Sequence, residues 1–417
     1  MMSRMISPII DLLTNKIDQN LDLVRDYIRT KEILFPATIY NSVDLRHSGF
    51  KIAPVDTNCF PAGFNNVKGD YLRNAQRQAK HYIATHFDFN STKNITIIAE
   101  NHTRNTQYLA SLNSLLKIFQ FEGIKTYVCS FNEEIDNFIT LQDANFEEIK
   151  IHKINKIDKD IVIDNAKIDL AILNNDLTKN YPDFFEQIST PVIPNPKIGW
   201  YNRSKFNHFE IYNSLCFELC QILDIDPWFI STIQGHLTNV NFKEKIGLDL
   251  LANQVDNILS QIQEKFKQYS IKDRPFCYIK ADSGTYGMAV TQVFDPQEVV
   301  NFNKKARNKM NMLKESKQNS SVKIQEGIPS IDNINNQTSE PLIYMVSGEI
   351  IAYLSRSHDQ KDQVSSLNSP GAQFCNIDQV TNMNLGGNID AVKKAYWLVS
   401  KLASLSCAIE INNLNQL

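Results

Sequence analysis

Residues 276–288 read Phe-Cys-Tyr-Ile-Lys-Ala-Asp-Ser-Gly-Thr-Tyr-Gly-Met, and the order of their parts decides the fold class. Tyr278 and Ile279 favour a strand, Lys280 stands near its end, and Gly284 and Gly287 permit a loop whose backbone amides approach phosphate oxygens closely. A lysine that precedes its glycines is neither a Walker P-loop, where the lysine follows them at a helix start, nor the Rossmann glycine pattern. It places an ammonium on a strand beside a small loop, which suits a nucleoside triphosphate. An ordinary β-turn after a strand has the same composition, so the loop takes its meaning from the rest of the chain.

Downstream, Ser321 to Gln325 is β-compatible and ends in Glu326-Gly327-Ile328-Pro329. This is either a hinge at which Glu326 accepts from a nucleoside, or a plain surface turn. Pro341 to Leu354 reads as two strands joined at Ser347-Gly348, a hairpin whose second strand delivers Arg356 and His358. Arg356 there can hold transferring phosphate oxygens or simply end an exposed strand. Asn368 precedes the Pro370-Gly371 turn and offers an oxygen to magnesium, or else only shapes the turn. Glu340, Glu349, Asp359 and Asp362 are the carboxylates at hand for such a metal.

Upstream, Asn94 to Ala99, Ile124 to Cys129 and Ile168 to Leu173 read as strands, with a helix from Arg104 to Phe121, the order of a parallel α/β layer. The last strand runs into Asn174-Asn175-Asp176, the polar strand end at which such sheets bind ligands. Pro191, Pro194 and Pro196 make Thr190 to Trp200 an irregular crossing. The expected division is an N-terminal α/β substrate-binding domain, 1–200, and a mixed α+β nucleotide-binding domain, 201–417. Helical spacing at 206–222 and 245–269 gives the second unit its helices.

Three polar clusters surround these elements: Asp44 to Asn66, Glu100 to Asn105 and Trp200 to Phe209. Asn101, Thr103 and Ser204 serve equally as helix caps. A substrate with several carboxylates needs several cationic or amide donors, and Arg46, Arg104, Arg203 and Lys205 are the supply.

Lys+Arg 43 against Asp+Glu 46 gives a net charge of -3, which offers no general attraction for nucleic acid. No apolar run approaches the roughly 20 residues that cross a bilayer, and the N-terminal patch is broken by Asp11. The 7 cysteines lack zinc or redox spacing and read as reduced thiols, so no metal is assigned to them. A cytoplasmic protein acting on small molecules is expected, its oligomeric state open.

Taken together, these strings resemble the proteobacterial glutamate-cysteine ligase family, related to ATP-grasp enzymes. The resemblance runs in order along most of the chain: 53–58 into 60–66, Glu100 to Asn105, Asn174 to Asp176, Gly199 to Phe209, Lys280 to Met288, Glu326-Gly327, and Leu367 to Gly371. It implies ATP-dependent joining of the glutamate γ-carboxylate to the cysteine amine through an acyl phosphate, releasing γ-glutamylcysteine, ADP and phosphate. By the same resemblance Lys280 contacts ATP phosphates, Ser283, Gly284, Thr285 and Tyr286 cover them, and Glu326 marks the adenine hinge. Arg356 with Asn368 and Glu340 serves phosphate and magnesium, while Arg46, Asn58, Asn65, Arg104, Arg203, Lys205 and His208 recognise the amino acids. The chain departs from the family at Gln363, Val364, Ser365 and Ser366, where acidic and amide residues precede the Leu-Asn-x-Pro-Gly string. That departure leaves open another carboxylate–amine pair, or a nucleotide-binding regulatory homologue with little turnover.

Overall fold

The computed structural model describes residues 8–102, 104–283, 290–311 and 321–415. Gly284, Thr285 and Tyr286, expected to cover phosphates, lie outside the described residues, as does much of the polar stretch after Asn303.

The Lys280 strand forms at Cys277–Ala281 inside a four-stranded antiparallel sheet, ordered Gln234–Leu237, Val322–Glu326, Cys277–Ala281, Val290–Val293. Cross-strand partners share a face, so the period of two sorts the residues. Cys277, Ile279, Val293, Val322 and Ile324 pack against the helix Leu248–Gln268 through Leu251, Val255, Ile258 and Ile262. The opposite face is polar, carrying Gln234, His236, Tyr278, Lys280, Gln292, Lys323 and Gln325. Glu326 pairs with Cys277 and so falls on the packed side, where Lys51 Nζ (2.8 Å), Trp228 Nε1 (2.9 Å) and Ile233 N (2.9 Å) donate to its carboxylate.

A seven-stranded sheet carries the hairpin. Its main path runs Gln373–Asn376, Glu349–His358, Gln337–Val346, Tyr40–His47, Ile52–Asn58 in antiparallel register. Ser347 and Gly348 both take positive φ (56° and 73°), the pair of left-handed residues that a two-residue I′ hairpin turn requires. One face, with Val43, Leu45, Ile52, Ile343 and Met345, packs on a layer of the helices Pro8–Gln19, Lys205–Leu223 and Ile389–Asn415. The other presents Ser42, Asp44, Asp56, Asn58, Tyr344 and Arg356 to a cleft. Strands from both sides of residue 200 join in this sheet, so a cut there passes through one hydrogen-bonded layer.

The third sheet is the expected parallel layer. Val192–Ile193, Leu170–Asn174, Asn94–Ala99, Lys125–Ser130 and Glu148–Lys153 are parallel neighbours, and Phe138–Gln142 closes the edge antiparallel. The helix between its central strands is Thr106–Ile118, capped by Asn105, whose side chain accepts from Tyr108 N.

A buried charge cluster joins these layers. Arg203 donates through Nη1 to Thr57 O (2.6 Å) and through Nη2 to Glu410 Oε2 (3.0 Å), and His208 Nδ1 lies 2.8 Å from that same oxygen. It pins the end of the Ile52–Asn58 strand to two helices. Arg203 and His208 were expected to bind an amino acid; both are buried among these partners. Burial acts against the Glu410 charge, but Arg203 and His208 outweigh it and hold the carboxyl below its ordinary range. A depressed carboxyl stabilises the fold above its unfolded pKa of about 4.3, and that contribution is lost as pH falls through the folded value. Glu410→Ala, which strands Arg203, is expected to cost about 3–5 kcal/mol in urea unfolding. Glu410→Gln is expected to flatten the acid limb of the stability–pH curve. A second site tests the packing behind the Lys280 strand: a Cβ on Gly327 would lie 2.2 Å from the Phe276 ring. Gly327→Ala is expected to destabilise by about 1–3 kcal/mol, read as a lower melting temperature.

Candidate active site

The start of the helix Lys205–Leu223 docks on the end of the Lys280 strand. Phe206 N donates to Asp282 Oδ1 (2.8 Å), Lys205 N to Asp282 O (2.8 Å), and Ser204 caps the turn by accepting from Asn207 N. This docking carries Lys205 across to the Ile52–Asn58 strand, where its ammonium pairs with Asp56 Oδ1 at 2.8 Å. The polar face of the small sheet and the polar face of the large one thus meet across an inner cleft, into which Asp44, Arg46, Asp56, Lys205, Tyr278, Lys280, Glu340, Arg356 and Asn368 converge.

Charges in this cleft are arranged in two groups. In the first, Arg356 Nη1 lies 2.7 Å from Glu340 Oε1 and 2.9 Å from Asp44 Oδ2, Nη2 donates to that same Asp44 oxygen, and Arg46 Nε meets Glu340 Oε2 at 2.6 Å. Arg46 Nη1 donates to Gln363 O (3.0 Å) and Nη2 to Ser365 O (2.6 Å). Arg356 Nε is buried without a hydrogen-bond partner among the described residues. In the second group, Lys280 Nζ donates to Val55 O (2.9 Å) and Gln325 Oε1 (2.8 Å). Burial pulls its ammonium down to about 8, while Asp56 acts in the opposite sense. Asp56 itself is held well below the carboxylate range, because Lys205 and Lys280 outweigh the effect of burial.

The segment that departs from the family pattern contributes backbone. Gln363 O and Ser365 O receive Arg46, Val364 O receives the Tyr278 hydroxyl at 2.5 Å, and Ser366 lines the cleft. These contacts are open to almost any side chain at those positions.

A larger outer cleft shares Asp44, Asp56, Arg356 and Asn368 with the inner one and runs on past Asn58, Asn65, Asn105, Gln107, Asp176 and Trp200. Asn58 and Asn65 therefore belong to it. Arg104 borders a neighbouring polar groove with Asn101, Asn132 and Glu134, which touches the outer cleft through His102 and Asn105. Ser283 directly follows Asp282 at the end of the Lys280 strand. Among the described residues one group has the spacing of metal ligands, Cys59, Cys407 and Glu410, but it is buried and the Arg203 guanidinium occupies Glu410.

Sequence reasoning found Lys280, Arg356, Arg46, Lys205, Glu340 and Asn368, all of which converge here. It missed Lys323 and Gln325 on the polar face, and the pairing roles of Asp44 and Asp56. The alternation Val322-Lys323-Ile324-Gln325 was the available signal, since period two sets both polar residues on the Lys280 face.

The glutamate-cysteine ligase family model, GshA, matches residues 14–411. A putative gamma-glutamylcysteine synthetase from Methylobacillus flagellatus KT superposes with a TM-score of 0.89 at 29% identity, covering 99% of this chain and 98% of that one. A glutathione synthetase like-effector from Globodera pallida gives a TM-score of 0.38 at 8% identity, over 88% and 84% of the two chains. D-alanyl-alanine synthetase A from Vibrio cholerae O1 gives 0.31 at 9%, over 76% and 99%. Among curated proteins none matches. With the family pattern running over nearly its whole length, the chain belongs to the glutamate-cysteine ligase family.

Proposed function

We propose that the protein joins the γ-carboxylate of L-glutamate to the amine of L-cysteine at the expense of ATP, through an acyl phosphate, as an ATP-grasp-like ligase. The observation that carries this reading is the junction: Asp44, Asp56, Arg356 and Asn368 line both the lysine-bearing inner cleft and the amide-rich outer one. The nucleotide lies along the Lys280 face, and the amino acids occupy the outer cleft beside Asn58 and Asn65. The γ-phosphoryl group passes between them at the junction. A phosphorus–oxygen bond to ADP breaks as one to the γ-carboxylate forms. The cysteine amine then forms the carbon–nitrogen bond, phosphate leaves, and the surplus amine proton passes to water.

Such a reaction needs positioning and charge, not a protein nucleophile. Lys280 supplies an ammonium to the phosphates. Arg356, fixed by Asp44 and Glu340, brings its guanidinium charge to the oxygens that gain charge in the transition state. Arg46, held by Glu340 and by the backbone at 363 and 365, positions that arginine rather than a substrate. Magnesium enters as part of MgATP. Asn368 offers it an amide oxygen, but Glu340 does not fit as a ligand, because guanidinium groups occupy both of its oxygens. The domain division is likewise better drawn by sheets, with the four-stranded sheet and its helix Leu248–Gln268 forming the nucleotide-binding unit.

With MgATP supplied, ADP and phosphate are expected only when glutamate and cysteine are present together, and mass spectrometry is expected to find γ-glutamylcysteine. Nucleotide binding without turnover for any amino-acid pair would instead favour the regulatory reading. Lys280 gives a pH signature: its ammonium is lost as pH rises through about 8. In the free enzyme kcat/KM for ATP is therefore expected to fall above about pH 8, and Lys280→Arg, which keeps its charge, is expected to remove that fall.

A further inference from the structure

Lys323 is the cross-strand partner of Lys280, one strand further into the polar face, and the family comparison assigns it nothing. Its side chain is fully buried, and its Nζ has no hydrogen-bond partner among the described residues. The amine rests 3.2 Å from the centroid of the Phe209 ring. An aromatic face attracts a cation but cannot replace the hydrogen bonds an ammonium loses on leaving water. Two more polar atoms on this face, Gln234 Oε1 and Gln292 Nε2, are also buried without a hydrogen-bond partner among the described residues. Native proteins rarely leave buried polar groups unpaired, and three on one sheet face call for a partner that the described residues do not supply.

The sign of the surroundings identifies the ligand class. The charged groups facing Lys323 are Lys280 from its own sheet, Lys205 from the helix start, Asp56 from the large sheet and Asp282 at the strand end. His208 adds an imidazole from the helix, and His236 is the cross-strand neighbour on the other side. Both carboxylates are already engaged: Asp56 with Lys205, and Asp282 with Phe206 N and His236. Three amines therefore converge on two carboxylates, so protonating all three would leave a shortfall of negative charge. A polyanion fits this deficit.

Resting on the nucleotide reading above, we infer that Lys323 is an anion-binding residue for the phosphate chain of ATP, acting with Lys280 and Lys205, and that nucleotide binding is coupled to proton uptake at this lysine. Burial first, then the neighbouring lysines, push its amine well below the ordinary lysine range, which favours the neutral form in the free protein. The incoming phosphates supply the missing counter-charge, and the amine binds a proton from solvent as it acquires them.

Calorimetric titration of the wild-type protein with MgATP, without amino acids, in two buffers of different ionisation enthalpy tests this directly. Near pH 7 Lys280, at about 8, is already mostly charged, so uptake reports on Lys323. The expected result is net proton uptake per nucleotide bound. Lys323→Met is expected to abolish that uptake and weaken binding by about tenfold or more. Its ligand-free melting temperature is expected to hold or rise, because an unpartnered buried amine is removed. Wild-type binding with no uptake overturns the inference, whether or not the variant folds. So does a folded variant with unchanged affinity and uptake. Absence of any MgATP binding by the wild type overturns the nucleotide reading itself, a distinct outcome.

Discussion

The arrangement hangs on a chain of paired charges: Asp44 to Arg356, Arg356 to Glu340, Glu340 to Arg46, and Arg46 to the backbone at Gln363 and Ser365. Each of the two arginines is more than nine-tenths buried, and an ion so placed is tolerable only when its partners stay in position. The chain crosses three strands of the large sheet and then reaches the small sheet through Val364 O and the Tyr278 hydroxyl. It therefore fixes the distance between the two polar faces. Removing one member strands the others, so the network acts as a unit.

Both halves of the cleft use the same construction. In each sheet one face is apolar and packed on helices, which leaves the other free to carry lysines, arginines and carboxylates without disturbing the core. The two are joined by the helix Lys205–Leu223, whose buried residues serve the large sheet's core while its first turn is hydrogen-bonded to Asp282 of the small one. The Arg203–His208–Glu410 cluster lies directly behind that first turn and holds the strand bearing Asp56 and Asn58 through Thr57 O. Residues that look like ligands in sequence thus serve here to place other residues that can be ligands.

Local signals account for what was legible. The Ser347-Gly348 turn, the helix spacing at 206–222, the parallel strands and the strand ending at Lys280 each depend on neighbours within about ten residues, and each formed close to where its pattern places it. Lys280, Arg356 and Glu340 were legible for the same reason, being set at strand positions whose facing follows from period two. Glu326 shows the limit. Its turn composition suggested a ligand hinge, yet parity with Cys277 sends its side chain to the packed side, where Lys51, distant in sequence, neutralises it.

By itself the sequence determined the alternation of polar and apolar residues along each strand, the turns that join them, and the family pattern, because these are written in adjacent residues. Only the tertiary structure decided which charges answer one another. Arg203 and His208 face Glu410 two hundred residues on, Arg46 meets Glu340, and Lys323 is left with an aromatic ring and two other amines. The physical reason is that a side chain's charge state and freedom to bind depend on burial and on partners brought from remote segments, and no local pattern records that meeting.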